Sequence, residues 1–138
     1  MTVNNKMTSD ALEQEMLRFQ GVWKQTGYEV DGIDDAQDDF GAEALTTISG
    51  NQFVVNDADG RVLIEGRFTI DPGQIPKAID WTDTFGEDAG KTFPAIYALE
   101  DNKLVFCAAD EGQPRPTEFR TREGLVLRVL ERIARADT

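Results

Sequence analysis

From residue 45 onward the chain reads as short apolar-rich runs separated by Gly, Asp, Asn and Pro, and several of the runs alternate apolar with polar positions. A period of two marks strands that bury one face and expose the other, so the chain reads as a succession of antiparallel β-strands. The clearest signal is Asp57-Ala58-Asp59-Gly60, since Asp-Gly favours a tight hairpin. With Asp59 and Gly60 as a two-residue loop, Ala58 faces Arg61, Val55 faces Ile64 and Phe53 faces Gly66. Phe53, Val55, Ile64 and Phe68 then share one side, with Glu65 and Arg67 on the other. A second hairpin turns at Asp101-Asn102 and places Glu100 opposite Lys103, Leu99 opposite Leu104 and Tyr97 opposite Phe106.

The remaining elements follow in chain order. Residues 1–8 are polar and read as a disordered tail ahead of a single domain, 9–138. Ser9 or Asp10 can cap a short helix over 10–19, with Leu12, Met16, Leu17 and Phe19 as its apolar stripe. That helix is expected to plug or flank one end of the sheet. Gly21 to Val30 forms the first strand, where Gly21 permits a close approach and Trp23 supplies a large apolar surface. Leu45 to Ile48 and Gln52 to Asn56 pair across Ser49-Gly50-Asn51. Asp71-Pro72-Gly73 ends the next strand, and Lys77 to Thr84 follows with Ile79 and Trp81 on one face. Thr117 to Thr121 reads as a further strand. Gly124 to Ile133 fits strand or helix by periodicity alone; it is assigned as strand because the first strand needs an edge partner. About eight strands in a meander, with little helix, predict an all-β, up-and-down antiparallel barrel over 21–133, which leaves neither an edge nor an apolar face uncovered.

Charge narrows the partners. Lys and Arg total 14 against 26 Asp and Glu, a net charge of -12. Such a chain repels nucleic acid and anionic lipid, so neither is an expected partner, and a protein partner would be a basic one. There is no histidine, which removes the usual general base and transition-metal ligand. Cys107 stands alone and reads as a small core residue. The acidic stretch from Asp31 to Gly41, with Asp38 and Asp39, lacks the spacing of a calcium loop. Asp57 to Gly60 fails as an EF-hand because its twelfth position is Gly66. Gly86 and Gly90 make no phosphate loop, having neither the Lys-Ser/Thr ending nor a following helix. Asp80 and Asp83 point to opposite faces of one strand, which leaves Glu65 with Asp80 as the carboxylate pair that could converge across strands. No cofactor, metal site or enzymatic activity is expected. No leader or membrane span is visible, so the expected location is the cytoplasm.

Gly21-Val22-Trp23 resembles the Gly-x-Trp signature that opens the first strand of lipocalins and their calycin relatives. Five stretches extend the likeness: Leu17 to Lys24, Gly66 to Pro72, Pro76 to Trp81, Ala95 to Glu100 and Arg115 to Phe119. Together they are similar to a family of bacterial lipocalin-like domains abundant in planctomycetes, over nearly all the chain after residue 16. The resemblance implies the barrel and carries no activity with it. It also implies a basic partner from the last strand for the Trp23 indole, Arg132 first and Arg128 second, as a structural closure with Gly21. The chain is shorter than full lipocalins and lacks disulfides, which argues against transport of an extracellular ligand. The expected function is binding of a small apolar or amphipathic ligand by Phe53, Phe68, Trp81, Tyr97 and Phe106, with Arg115 as polar contact at the barrel mouth. The more common role for such an Arg115 is to pair with one of the many nearby carboxylates. The alternative function is a filled barrel that recognises another protein through an acidic surface.

Overall fold

The computed structural model of the chain describes residues 9–30, 33–34, 44–122 and 124–135. A helix, α1 (Ser9–Leu17), precedes nine strands: β1 (Gly21–Val30), β2 (Ile33–Asp34), β3 (Leu45–Ser49), β4 (Gln52–Asn56), β5 (Val62–Asp71), β6 (Lys77–Phe85), β7 (Thr92–Glu100), β8 (Lys103–Ala109) and β9 (Leu125–Ala134). All neighbours are antiparallel in the order β1-β3-β4-β5-β6-β7-β8-β9, and β9 pairs back onto β1. Eight strands therefore close an up-and-down barrel. The two-residue β2 pairs with the end of β1, within the stretch read as an acidic loop. The rest of that stretch, like the 1–8 tail, lies outside the described residues.

The β1–β9 seam depends on local chemistry at both ends. Gly21 has φ 131°, and a Cβ there would lie 2.4 Å from the Ala134 carbonyl oxygen, so only glycine fits. Between Gln25 and Gly27 a bulge inserts Thr26 and switches the alternation. Gln25 and Tyr28 both share a face with Leu130 and Arg128 as a result.

The β4–β5 hairpin differs from its two-residue reading. Asp57 N–H donates to the Arg61 carbonyl (2.9 Å), which leaves a three-residue loop, Ala58-Asp59-Gly60, with Gly60 at φ 84°. The Asp57 carboxylate caps that loop by accepting from the N–H groups of Asp59 and Arg61, each at 2.9 Å. A bulge between Val55 and Asn56 absorbs the difference, so Val55 still faces Ile64 and Phe53 still faces Gly66. The β7–β8 register is Glu100 to Lys103, Leu99 to Leu104 and Tyr97 to Phe106, as read from the sequence.

The helix is shorter than expected and ends at Leu17. Arg18, Phe19 and Gln20 continue as a tight turn, each N–H donating to the carbonyl three residues back. Met16 and Phe19 pack on the core, whereas Leu12 and Leu17 are exposed at 39% and 67%. The four-residue stripe thus reduces to two, and the inward face of the helix holds Glu15 and Met16 rather than Leu12 and Leu17. Phe19 enters the barrel against the rings of Phe68 (5.3 Å) and Tyr97 (5.1 Å) and closes that end.

Thr117 to Thr121 is not a strand. Both edges of β8 are already taken, by β7 and β9, so the ladder has no vacancy for it. The 110–122 segment instead contributes Pro116 and Thr121 to a buried layer, and Cys107, pointing outward from β8, donates its thiol to the Arg120 carbonyl. Ala78, Ile96, Cys107 and Ala109, on outward positions of β6, β7 and β8, are consequently buried as well. Burial raises the Cys107 thiol pKa, in keeping with an inert packing role.

Candidate ligand-binding site

The two ends of the barrel interior are built differently. At the helix end Trp23 is fully buried, and its Nε1–H donates to the Phe19 carbonyl at 2.8 Å. The Arg132 guanidinium lies over the indole, 4.5 Å from the ring centroid. It also donates to the carbonyls of Gln20, Arg18 and Asp101 and to Asn102 Oδ1, tying the helix turn and the β7–β8 turn to β9. Arg128, the alternative partner, stacks instead on Tyr28 at 4.6 Å and donates to Gln25 Oε1 at 2.7 Å.

Glu15, 7% exposed, completes that end. Its carboxylate accepts from the Tyr97 hydroxyl (2.7 Å), the Lys77 ammonium (3.0 Å) and the Arg18 guanidinium (2.9 Å). Burial alone would raise the Glu15 pKa, but these three donors together outweigh it and hold the carboxyl below its ordinary value. The Tyr97 phenol is pushed up, by burial first and then by the adjacent carboxylate.

The opposite end holds a cavity of about 290 Å³. Its apolar wall includes Phe53, Trp81, Phe93, Phe106 and Val126, and Asp83, Asp88, Asp110, Gln25 and Arg128 contribute its polar positions. The sequence builds this wall by alternation. On β6 the inward positions are Ile79, Trp81 and Asp83; on β8 they are Leu104, Phe106 and Ala108. Trp81 is the hub, with ring contacts to Phe106 (4.9 Å), Phe53 (5.3 Å, edge-on at 89°) and Phe68 (5.3 Å). Space for Phe53 comes from its cross-strand neighbour Gly66, where a Cβ would sit 2.6 Å from the Phe53 ring.

Two polar groups on this wall have no hydrogen-bond partner among the described residues. Trp81 is 7% exposed and its Nε1–H meets no acceptor. Asp83 is 8% exposed, and among the described residues nothing donates to its carboxylate. Its backbone is nevertheless fixed: its N–H donates to the Lys91 carbonyl (3.0 Å) and its carbonyl accepts from Gly90 N–H (2.8 Å). Burial, with a smaller contribution from Asp88, raises the Asp83 pKa to about 6. Asp88 itself is paired with Lys91 at 3.2 Å.

The structure divides the residues singled out from the sequence. Phe53, Trp81 and Phe106 line the cavity. Phe68 lies deeper, between Phe19 and Trp81, and Tyr97 belongs to the Glu15 cluster at the helix end. Arg115 is not at the barrel mouth. It lies on the outer wall, in an ion pair with Asp80 (2.8 Å), and donates to the carbonyls of Ile79 and Ala95. Arg115 sits there because the 110–122 segment crosses the outside of β6 and β7, where the even-numbered Asp80 also points. Glu65 and Asp80 do not converge either, since the β5–β6 register sets Glu65 against Phe85 and Asp80 against Thr69. Phe93, Arg128 and above all Asp83 were not read as site residues. The alternation that puts Ile79 and Trp81 inward carries Asp83 inward too, which was the signal available.

Among the described residues no group of three or more Cys, Asp or Glu is arranged to hold a metal ion, and no helix is long and apolar enough to cross a membrane. No protein-family model, curated protein or solved structure matches the chain.

Proposed function

We propose that the protein binds a small, mainly apolar molecule inside the barrel, at the end opposite the helix. The supporting observation is the cavity itself, walled by Phe53, Trp81, Phe93 and Phe106 at the end of the barrel that the helix leaves uncovered. Aromatic and apolar side chains around a few polar groups are the usual lining of a small-molecule pocket. The volume, about 290 Å³, is roughly ten water molecules at ~30 Å³ each, so the ligand is of the order of one ring with a short substituent. Eight strands is the barrel size at which one small ligand can be enclosed. Gly21 at the seam and Arg132 over Trp23 support the lipocalin-like kinship drawn from the sequence. The cavity favours ligand binding over the filled-barrel interaction module.

The test is titration with the uncharged 2-phenylethanol, followed by calorimetry and by tryptophan fluorescence. Saturable binding to one site is expected. Ala108→Phe, which fills the cavity from β8, should abolish it while circular dichroism shows an intact barrel. Binding that is undiminished in Ala108→Phe would place the ligand elsewhere and reject the proposal.

A further inference from the structure

We infer that the ligand is a small organic cation, an aryl or alkyl amine whose ammonium group pairs with Asp83 while its apolar body lies against Phe53, Phe93 and Phe106. The inference rests on the binding reading above and adds the charge of the ligand to it.

Cross-strand register sets Phe53, Gly66 and Asp83 in one row, with glycine between the aromatic ring and the carboxylate. An ammonium placed at Asp83 therefore has an anion on one side and aromatic surface nearby, the two features that stabilise a desolvated organic cation. The other charged groups on the cavity wall are already engaged. Asp88 is paired with Lys91, and Arg128 is held by Gln25 and Tyr28. Asp110 lies at the exposed rim. The buried, unpartnered charge is thus negative, and a carboxylate ligand would meet repulsion there rather than a partner.

The approaches to the cavity have the same sign. Among the described residues, the connections gathered at that end carry Asp57, Asp59, Glu87, Asp88, Asp110, Glu111 and Glu118 against Arg61, Lys91, Arg115, Arg120 and Arg122, a small acidic excess. On a chain of net charge -12 this raises the local concentration of cations and speeds their entry.

Three probes of similar size separate the possibilities: 2-phenylethylamine, the uncharged 2-phenylethanol and the anionic 3-phenylpropionate. Calorimetry at pH 7.5 should give the amine at least tenfold tighter binding than the alcohol, with the carboxylate weakest. Asp83→Asn, isosteric and free of the buried charge, should bring the amine down to the level of the alcohol without weakening the alcohol. In the wild type the amine preference should shrink between pH 7.5 and pH 5 as Asp83 takes up a proton. Alcohol or carboxylate binding as tight as amine binding, or a preference untouched by Asp83→Asn, overturns the cation assignment and leaves the binding reading standing. Failure of all three probes to bind overturns both.

Discussion

Glu15 and Asp83 are buried to nearly the same extent, at opposite ends of one barrel, and their pKa values move in opposite directions. Burial is therefore not what separates them. Glu15 meets a hydroxyl, an ammonium and a guanidinium; Asp83 meets an aromatic wall and a second carboxylate. One carboxylate is locked into the architecture, and the other is left with unused capacity. The first arrangement is that of a structural joint, and the second suits the binding site proposed above.

That contrast can be broken from either side. The largest effect is expected at the helix end from Trp23→Ala, which removes the indole beneath Arg132 and should cost about 3–5 kcal/mol in urea unfolding. Glu15→Gln should cost about 2 kcal/mol, because the Lys77 and Arg18 charges lose their partner. The folded Glu15 pKa lies below 4.5, so its contribution is present above that value and is lost as pH falls through the folded pKa. The variant's stability should accordingly depend less on pH below about 4.5 than that of the wild type.

At the other end the sign reverses. Asp83 is raised from 3.8 to about 6, so the fold favours its neutral form. Its stabilisation is fully present below 3.8 and is lost as pH rises through 6. Asp83→Asn should then stabilise the ligand-free protein at pH 7.5 by about 2 kcal/mol and flatten the stability profile around pH 6. A destabilised Asp83→Asn would mean that the carboxylate has a structural partner, and the contrast between the ends would collapse. The smallest effect is expected from Arg115→Ala on the outer wall: about 1 kcal/mol or less in unfolding, as for other partly exposed ion pairs, and no change in ligand affinity.

Much of this barrel is legible in the residues because strand alternation is local. The Val55–Ile64 and Tyr97–Phe106 pairings follow from counting outward from a turn, and the inward face of β6 follows from Ile79 and Trp81. What alternation does not convey is depth along the barrel axis. Phe68, Tyr97, Trp81 and Phe106 look equivalent as aromatic residues on strands, yet Phe19 covers the first two and leaves the last two beside a cavity. Arg115 was misplaced for a related reason. Nothing in Arg-Pro-Thr-Glu-Phe tells which side of the sheet an irregular segment will cross; that was decided by β9 occupying the edge of β8. Asp83 is legible from the same alternation as Ile79 and Trp81, but alternation gives only its face and not whether a second charge lies opposite it.

The seam between β1 and β9 has a consequence for biosynthesis. Trp23 pairs with Arg132 across more than a hundred intervening residues, so a chain emerging from the ribosome carries its first hairpins long before the cylinder can shut. During that interval the outer rim of β1 is an unsatisfied template for any other extended segment. Folding dominated by so distant a contact should be slow, on the order of milliseconds to seconds, and a chaperone that shields β1 until β9 arrives would act at the most vulnerable point of the nascent protein.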